Sequence, residues 1–294
     1  MAIQAATTGN LENVQNIILA KTRFTMEHNM PCVELVEHLR LGKGEKQLTV
    51  PKVVQATAAN LVDGQDITET ADIGVTTTDL TTAEVGLKFI LTDKLVRQFN
   101  EDVFAICGRQ AGDAMGRKKD TDVIAIFSAL NAGALGGAQI WGADNTNLTL
   151  TFLSACIARA KAHKFPRPIF VVHHPNAIFA VVTSAALTPS ATYPLPHGWS
   201  EERLRDFYKF TLNQVPVFED GNIAAISGTD SAYGVIASKN AMAVIDQVGF
   251  NPERERDASL RAWELVVTAD YGVFELDDTY GAPMQYEMGD PAAS

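Results

Sequence analysis

The chain has 294 residues, of which 46% are hydrophobic and 20% are charged, and its formal net charge at pH 7 is −11. A chain of this length is too long to fold around one small hydrophobic core, so we expect two subdomains. The acidic balance argues against a protein that grips nucleic acid by neutralising its phosphates. No apolar run approaches the length that spans a bilayer, and the N-terminus lacks the basic and apolar regions of a signal peptide, so we expect synthesis in a cytosol.

Residues 1–46 combine short helical patterns with turns and contain few apolar residues. Pro31 interrupts the segment, and Gly42-Lys43-Gly44 breaks the chain at its end. Because it cannot form a core of its own, we interpret this region as an arm that packs along other surfaces.

Two β-type segments, residues 47–56 and 84–91, flank a Thr-rich acidic passage. No Lys or Arg occurs between Lys52 and Lys88. A two-stranded ribbon of this length is marginal alone in water, and the simplest partner for it is another copy of the chain. The acidic side chains expected to meet that partner are Asp63, Asp66, Glu69 and Asp72.

A long helix is predicted from Thr92 to Asn131, with Thr92 as its N-cap and an apolar stripe at helical spacing. Its densest basic run consists of Arg117, Lys118 and Lys119. This run is either a solvated face of the helix or the partner of a neighbour's acidic ribbon, and the sequence leaves both open.

Residues 148–236 alternate predicted helices and strands, which indicates an α/β subdomain. The helices are predicted at 150–163 and 175–184, and the strands at 168–174 and 214–220. His173 and His174 are adjacent on a strand and so point to opposite faces, which excludes a metal ion held by both.

Two long antiparallel strands are predicted after Gly234, at 241–250 and 260–270, and short strands follow at 271–276 and 284–288. The charged residues between the long strands are interpreted as the tip of a projecting hairpin. They carry both signs, so copies of the tip can pair with one another: Glu253, Arg254, Glu255, Arg256 and Asp257.

No cofactor or metal site is predicted. Cys32, Cys107 and Cys156 are odd in number and far apart, which is typical of buried thiols rather than of a disulfide framework or a zinc site. The glycine-rich segment 133–137 follows a helix, whereas a phosphate-binding loop leaves a strand.

The order of these elements, together with the phrases at 213–220, 237–244 and 264–273, resembles the tailed-bacteriophage major capsid proteins. The resemblance implies an α+β, HK97-like capsid fold with an N-terminal arm, an extended E-loop hairpin, a long spine helix, and peripheral and axial domains. The implied boundaries are 1–46 for the arm, 47–91 for the E-loop, 92–145 for the spine helix and start of the peripheral domain, 146–235 for the axial domain, 236–270 for the peripheral long strands, and 271–294 for the return to the axial domain.

The resemblance further implies a structural protein, not an enzyme, that self-assembles as hexamers and pentamers into an icosahedral head in the host cytoplasm. Implied partners are a separate scaffolding protein, a portal, and packaged double-stranded DNA bound without sequence specificity; no membrane is involved. The scaffolding protein is expected to be separate because the chain begins almost at the arm. A decoration protein is left open. The alternatives are an encapsulin-like nanocompartment shell and a cytosolic α/β enzyme, which would need a polar pocket that the sequence does not show.

Overall fold

The computed structural model describes residues 30–53, 74–98, 103–184 and 208–291. The N-terminal part contains α1 (Pro31–Leu35), β1 (Glu37–Arg40), β2 (Leu48–Val53), β3 (Val75–Leu80), β4 (Ala83–Thr92), α2 (Asp93–Gln98) and α3 (Val103–Ile126). The middle part contains β5 (Trp141–Gly142), α4 (Leu150–Ala162), β6 (Ile169–His173), α5 (Pro175–Ser184), β7 (Tyr208–Leu212) and β8 (Val215–Glu219). The C-terminal part contains β9 (Ser231–Ser238), β10 (Met242–Asp257), β11 (Ala262–Glu275) and β12 (Gly281–Glu287).

A six-stranded sheet in the order β5-β12-β9-β6-β8-β7 forms the larger core. Every residue of β6 is buried, because both faces of the sheet are covered. Val171 points to the face on which α4 and α5 pack, and Phe170 points to the face on which α1 and the end of α3 pack. The predicted α/β alternation therefore corresponds to a sheet covered by helices on both sides.

The helices that cover this sheet begin where the sequence predicts. The Thr149 side chain accepts a hydrogen bond from the backbone N–H of Phe152 at the start of α4. Pro175 occupies the first position of α5, where its missing N–H and fixed φ cost nothing.

A four-stranded sheet in the order β1-β10-β11-β4 forms the second unit. Along β11, buried and half-buried residues alternate. Of the buried ones, Val267, Ala269 and Tyr271 pack against Ala111 and Met115 of α3. The helix thus covers one face of this sheet, as the period-two pattern of the strand requires.

The predicted ribbon is corrected in its second strand. Segment 84–91 does not pair with segment 47–56, because β4 pairs antiparallel with β11, whereas β2 pairs with β3. The reason is burial: Leu87 and Phe89 of β4 pack into the cluster beneath α3. Residues 54–73, between β2 and β3, lie outside the described residues, and the domain boundaries proposed above remain predictions.

The predicted helix from Thr92 to Asn131 is found as α2 and α3, with residues 99–102 outside the described part. Its end is corrected to Ile126. There the backbone tightens into turns, since Phe127 donates to the carbonyl of Ile124 and Ala129 to that of Ile126.

The predicted charged turn is also corrected. Residues 253–257 are the last residues of β10, and Glu253 pairs with Val266 while Asp257 pairs with Ala262. The turn itself spans residues 258–261. The strands predicted separately at 260–270 and 271–276 are one continuous strand, β11.

The described part of the predicted arm packs on its own chain. Cys32, Val33 and Leu35 of α1 are buried, and β1 pairs in parallel with the start of β10. Residues 1–29 lie outside the described part of the chain. The three cysteines are buried and free, as predicted. Of the helices that the structure describes, none has the length and apolar character needed to cross a membrane.

Candidate assembly interface

The β2–β3 hairpin forms a two-stranded sheet separate from the two larger sheets. Where β2 begins and β3 ends, Leu80 is fully buried and packs with Ile245, and the half-buried Leu48 and Val50 pack against the same cluster. At the other end of the described strands, Lys52, one residue before Val53, pairs with Asp277, with 2.6 Å between Nζ and Oδ1. The hairpin thus contacts the body at both ends of its described strands, while most residues of these strands are exposed or half-buried.

The far end of the described hairpin exposes apolar side chains. Val53 and Val75 are paired in register and are 60% and 55% exposed. Pro51 lies in the same strand, which suits an edge because it has no N–H to donate. The acidic residues predicted to make contacts next to this end, Asp63, Asp66, Glu69 and Asp72, lie outside the described residues.

The basic run of α3 separates into three different environments because successive residues on a helix are turned by about 100°. Arg117 is exposed, and Lys118 pairs with Asp122 one turn along the helix. Lys119 is buried and its Nζ lies 2.6 Å from Oδ1 of Asp246. That these three residues meet a neighbour stays a prediction, although the charge of Lys119 is paired within the chain.

Two polar contacts join α3 to the long hairpin, which is formed by β10 and β11. Besides the Lys119–Asp246 pair, the hydroxyl of Tyr271 donates to Asp122 over 2.8 Å. Burial, with the nearby Asp122 carboxylate, raises the pKa of Tyr271, so this hydroxyl remains a donor at neutral pH. The sequence carries no signal for these pairs, because their members lie more than 120 residues apart.

The two arginines near the end of the long hairpin contact their own chain. The guanidinium carbon of Arg254 lies 3.9 Å from the ring centroid of Phe104 and 4.1 Å from that of Trp263. Arg256 pairs with Asp93 at 3.0 Å. The aromatic rings meet edge to face, so Arg254 extends a cluster that joins β10, β11 and α3.

The acidic residues of the same strand are placed differently. Glu253 and Glu255 are exposed, and Glu253 accepts a hydrogen bond from Asn251. Asp257 accepts hydrogen bonds from Ser259 and Leu260, which closes the turn and lowers the pKa of its carboxyl. All four side chains from Glu253 to Arg256 are exposed, so this edge presents both signs of charge, and the arginines also contact Phe104, Trp263 and Asp93 of their own chain.

The adjacent histidines are found at the end of a central strand. His173 is fully buried, and burial lowers its pKa to about 4, so it is neutral at pH 7. Its Nδ1 accepts a hydrogen bond from the backbone N–H of His174, 2.9 Å away. This arrangement suits a neutral histidine of the sheet core.

Comparison with known proteins identifies the family. The sequence profile of the phage capsid protein family matches residues 74–282, which is more than half of the chain. No curated protein sequence matches the chain.

Solved structures share its fold. The capsid of Ralstonia phage GP4 is 9% identical with a TM-score of 0.66, and the match covers 88% of this chain and 89% of that one. A structure from Mycobacterium phage Che8 is 16% identical with a TM-score of 0.63, and covers 97% of this chain and 94% of that one. The mature capsid of bacteriophage PhiM1 is 12% identical with a TM-score of 0.62, and covers 88% of this chain and 87% of that one.

The profile match spans α2, α3 and the strands of the two large sheets except β1 and most of β12, and the structural matches extend the similarity over most of the chain. The HK97-like fold that the resemblance implied is thus supported at the level of a mixed α+β phage capsid fold. The chain therefore belongs to the phage capsid protein family, as a structural component of the virion capsid.

Proposed function

We propose that this major capsid protein closes a tailed-phage head from hexamers and pentamers of itself, and that the β2–β3 hairpin and the end of the β10–β11 hairpin join neighbouring copies. The observation that carries the proposal is the β2–β3 hairpin, which forms its own two-stranded sheet and ends in exposed apolar side chains.

The physical reason lies in the apolar side chains that the end of this hairpin leaves in water. Two strands alone are marginal in water, and Val53 and Val75 remain more than half exposed on their own chain, although Lys52 beside them pairs with Asp277. In a protein that self-assembles, a second copy is the surface that can cover them. The passage between the two strands contains acidic residues and no Lys or Arg, so we expect it to contact a basic surface of the neighbouring copy. The exposed Arg117 of that neighbour is one such basic group.

The end of the long hairpin is the second proposed contact. Heterologous contacts of this kind build rings and closed lattices. Arg254 and Arg256 are exposed but already contact Phe104, Trp263 and Asp93 of their own chain, whereas Glu253 and Glu255 are exposed and form no ion pair within the described residues. We therefore assign the contact to the glutamates, which meet basic groups of a neighbour.

Further partners of the proposal follow from membership of the family. They are a scaffolding protein, a portal and packaged double-stranded DNA. The net charge of −11 supports a wall that does not adhere to DNA phosphates. An encapsulin-like shell, the alternative considered from the sequence, gains no specific observation.

The hairpin is tested by replacing residues 54–74 with Asn-Gly, which joins Val53 to Val75 through a turn of the type that closes antiparallel strands. The chain is expected to stay folded and to form capsomers, while closed shells are lost. Sedimentation and negative-stain microscopy measure both.

The matched control replaces the same residues with a Gly/Ser segment of equal length. If the control variant forms closed shells and the Asn-Gly variant does not, the contact depends on the length of the segment between the two strands and not on its acidic sequence. Normal shells from the Asn-Gly variant would contradict the proposed role of the hairpin.

A further inference from the structure

Three buried side chains from three separate elements meet beneath α1. They are Cys32 of α1, Asp120 of α3, and Asp220, which directly follows β8. The thiol sulfur and one oxygen of each carboxyl all lie within 4.8 Å of one another. The cluster therefore sits where the N-terminal segment, the long helix and the six-stranded sheet join.

Each carboxyl binds groups from other elements. Asp120 accepts the backbone N–H of Cys32 at 3.0 Å and the Asn222 side-chain amide at 2.8 Å. Asp220 accepts the Cys32 thiol at 3.0 Å and the backbone N–H of Asn222 at 2.8 Å. The position of α1 thus depends directly on the charge of both carboxyls.

In the described ranges neither carboxyl pairs with a Lys or Arg side chain. One oxygen of each carboxyl lies within 4.8 Å of the other, so two negative charges here would repel each other in a buried site, which favours a proton on one of them. Burial, with the hydrogen bond and charge of Asp220, raises the pKa of Asp120 to about 8. The buried pair therefore holds one shared proton in place of a counter-ion.

We propose that the Cys32–Asp120–Asp220 cluster is a proton-dependent latch that holds the N-terminal segment on the long helix and the six-stranded sheet. With the shared proton, the cluster bears one negative charge. Without it, two carboxylates repel each other in a buried site, and lifting α1 lets water reach both.

The direction of the pH dependence follows from the raised pKa. The closed latch binds a proton that the open form releases, so its stability is fully present below the ordinary Asp value of 3.8 and is lost as pH rises through about 8. Between those values one proton is released per opening, so the equilibrium constant for opening rises about tenfold per pH unit.

Other ionisable groups lie near the cluster, and most of them are protonated or paired with a group of opposite charge. The pKa of the Cys32 thiol is raised by burial, so it stays protonated. Glu219 beside Asp220 pairs with Lys209, Lys119 beside Asp120 pairs with Asp246, and Glu34 lies half-buried on α1. His174 interacts with Asp220, and burial lowers its pKa, so it is the histidine to control for.

Hydrogen exchange of the amides of residues 32–36 in the full-length chain tests the latch. After correction for intrinsic exchange, their opening is expected to rise about tenfold per pH unit between pH 3.8 and about pH 8 and to level off above that range. The amides of α4 serve as internal reference and are expected to keep their protection.

Asp120→Asn keeps the shape and removes the charge, so the opening of residues 32–36 is expected to become independent of pH. If this variant does not fold, Asp220→Asn makes the same test. His174→Gln is the matched control and is expected to retain the slope.

The proposal is overturned if the wild type shows no slope, or if the slope persists in the folded Asn variant. It is equally overturned if Zn²⁺, added to chelator-treated protein, binds stoichiometrically and keeps residues 32–36 closed at every pH, because the cluster would then be a metal site.

Discussion

The two large sheets differ in how much of their surface the chain itself covers. The six-stranded sheet has helices on both faces, and its central strand β6 is buried throughout. The four-stranded sheet has α3 on one face, and residues 248–256 of β10 are exposed. One unit is a closed core that stabilises the chain, and the other presents an edge that the proposed neighbours complete. Three predictions test this contrast.

The largest difference is expected between two phenylalanines. Phe218 is fully buried in the six-stranded sheet, whereas Phe250 of β10 is 40% exposed. Phe218→Ala is expected to lower the free energy of unfolding by about 3–5 kcal/mol, because it leaves a cavity in a close-packed core. Phe250→Ala is expected to cost about 1 kcal/mol or less. Urea unfolding of the unassembled chain measures both, and equal losses would contradict the contrast between the sheets.

A smaller difference is expected between two neighbouring lysines of α3. Lys119→Ala removes a partly buried ion pair with Asp246 and a contact with the Tyr271 ring, and is expected to cost about 1.5–3 kcal/mol. Lys118→Ala removes an exposed pair with Asp122 and is expected to cost about 0.3–0.5 kcal/mol. The same unfolding experiment applies. A Lys119→Ala variant as stable as Lys118→Ala would show that α3 does not depend on this pair to hold the long hairpin.

The smallest effect on stability, and the one that separates folding from assembly, concerns Arg254 and Glu255. Arg254→Ala removes the guanidinium from two aromatic rings, with an expected cost of about 0.5–1 kcal/mol. Glu255 shows no hydrogen bond or ion pair within the described residues, so Glu255→Lys is expected to change the free energy of unfolding by about 0.5 kcal/mol at most.

Assembly should rank these two variants in the opposite order. Glu255→Lys is expected to leave capsomers intact and to reduce closed shells, as counted by negative-stain microscopy, whereas Arg254→Ala is expected to affect shells less. Full shell yield from Glu255→Lys would move the proposed contact away from the end of the long hairpin.

Prediction from sequence succeeded where the signal is local. The helices α4 and α5 and the strands β6 and β8 were predicted within two residues, because Thr149, Pro175 and the short apolar runs act on their immediate neighbours. The free, buried cysteines followed from their number and spacing.

Prediction failed where the partner is distant. Segment 84–91 is correctly predicted as a strand. A pattern of period two does not indicate which other strand it pairs with, and its partner β11 lies about 180 residues away in the chain. Residues 253–257 looked like a turn because they are charged, yet an exposed strand edge has no apolar residues to reveal it. Their pairing with β11 makes them a strand.

The sequence by itself determined the kinds of elements, their order and the family resemblance, because helix caps, apolar periodicity and breaking residues act over a few positions. The tertiary structure decided which strand pairs β4, which lysine of α3 is buried, and that Cys32, Asp120 and Asp220 meet. Those outcomes depend on contacts between residues that are far apart in the chain; in the cluster, the contacting residues are 88 and 188 positions apart. Such contacts form only when the sheets and helices pack together.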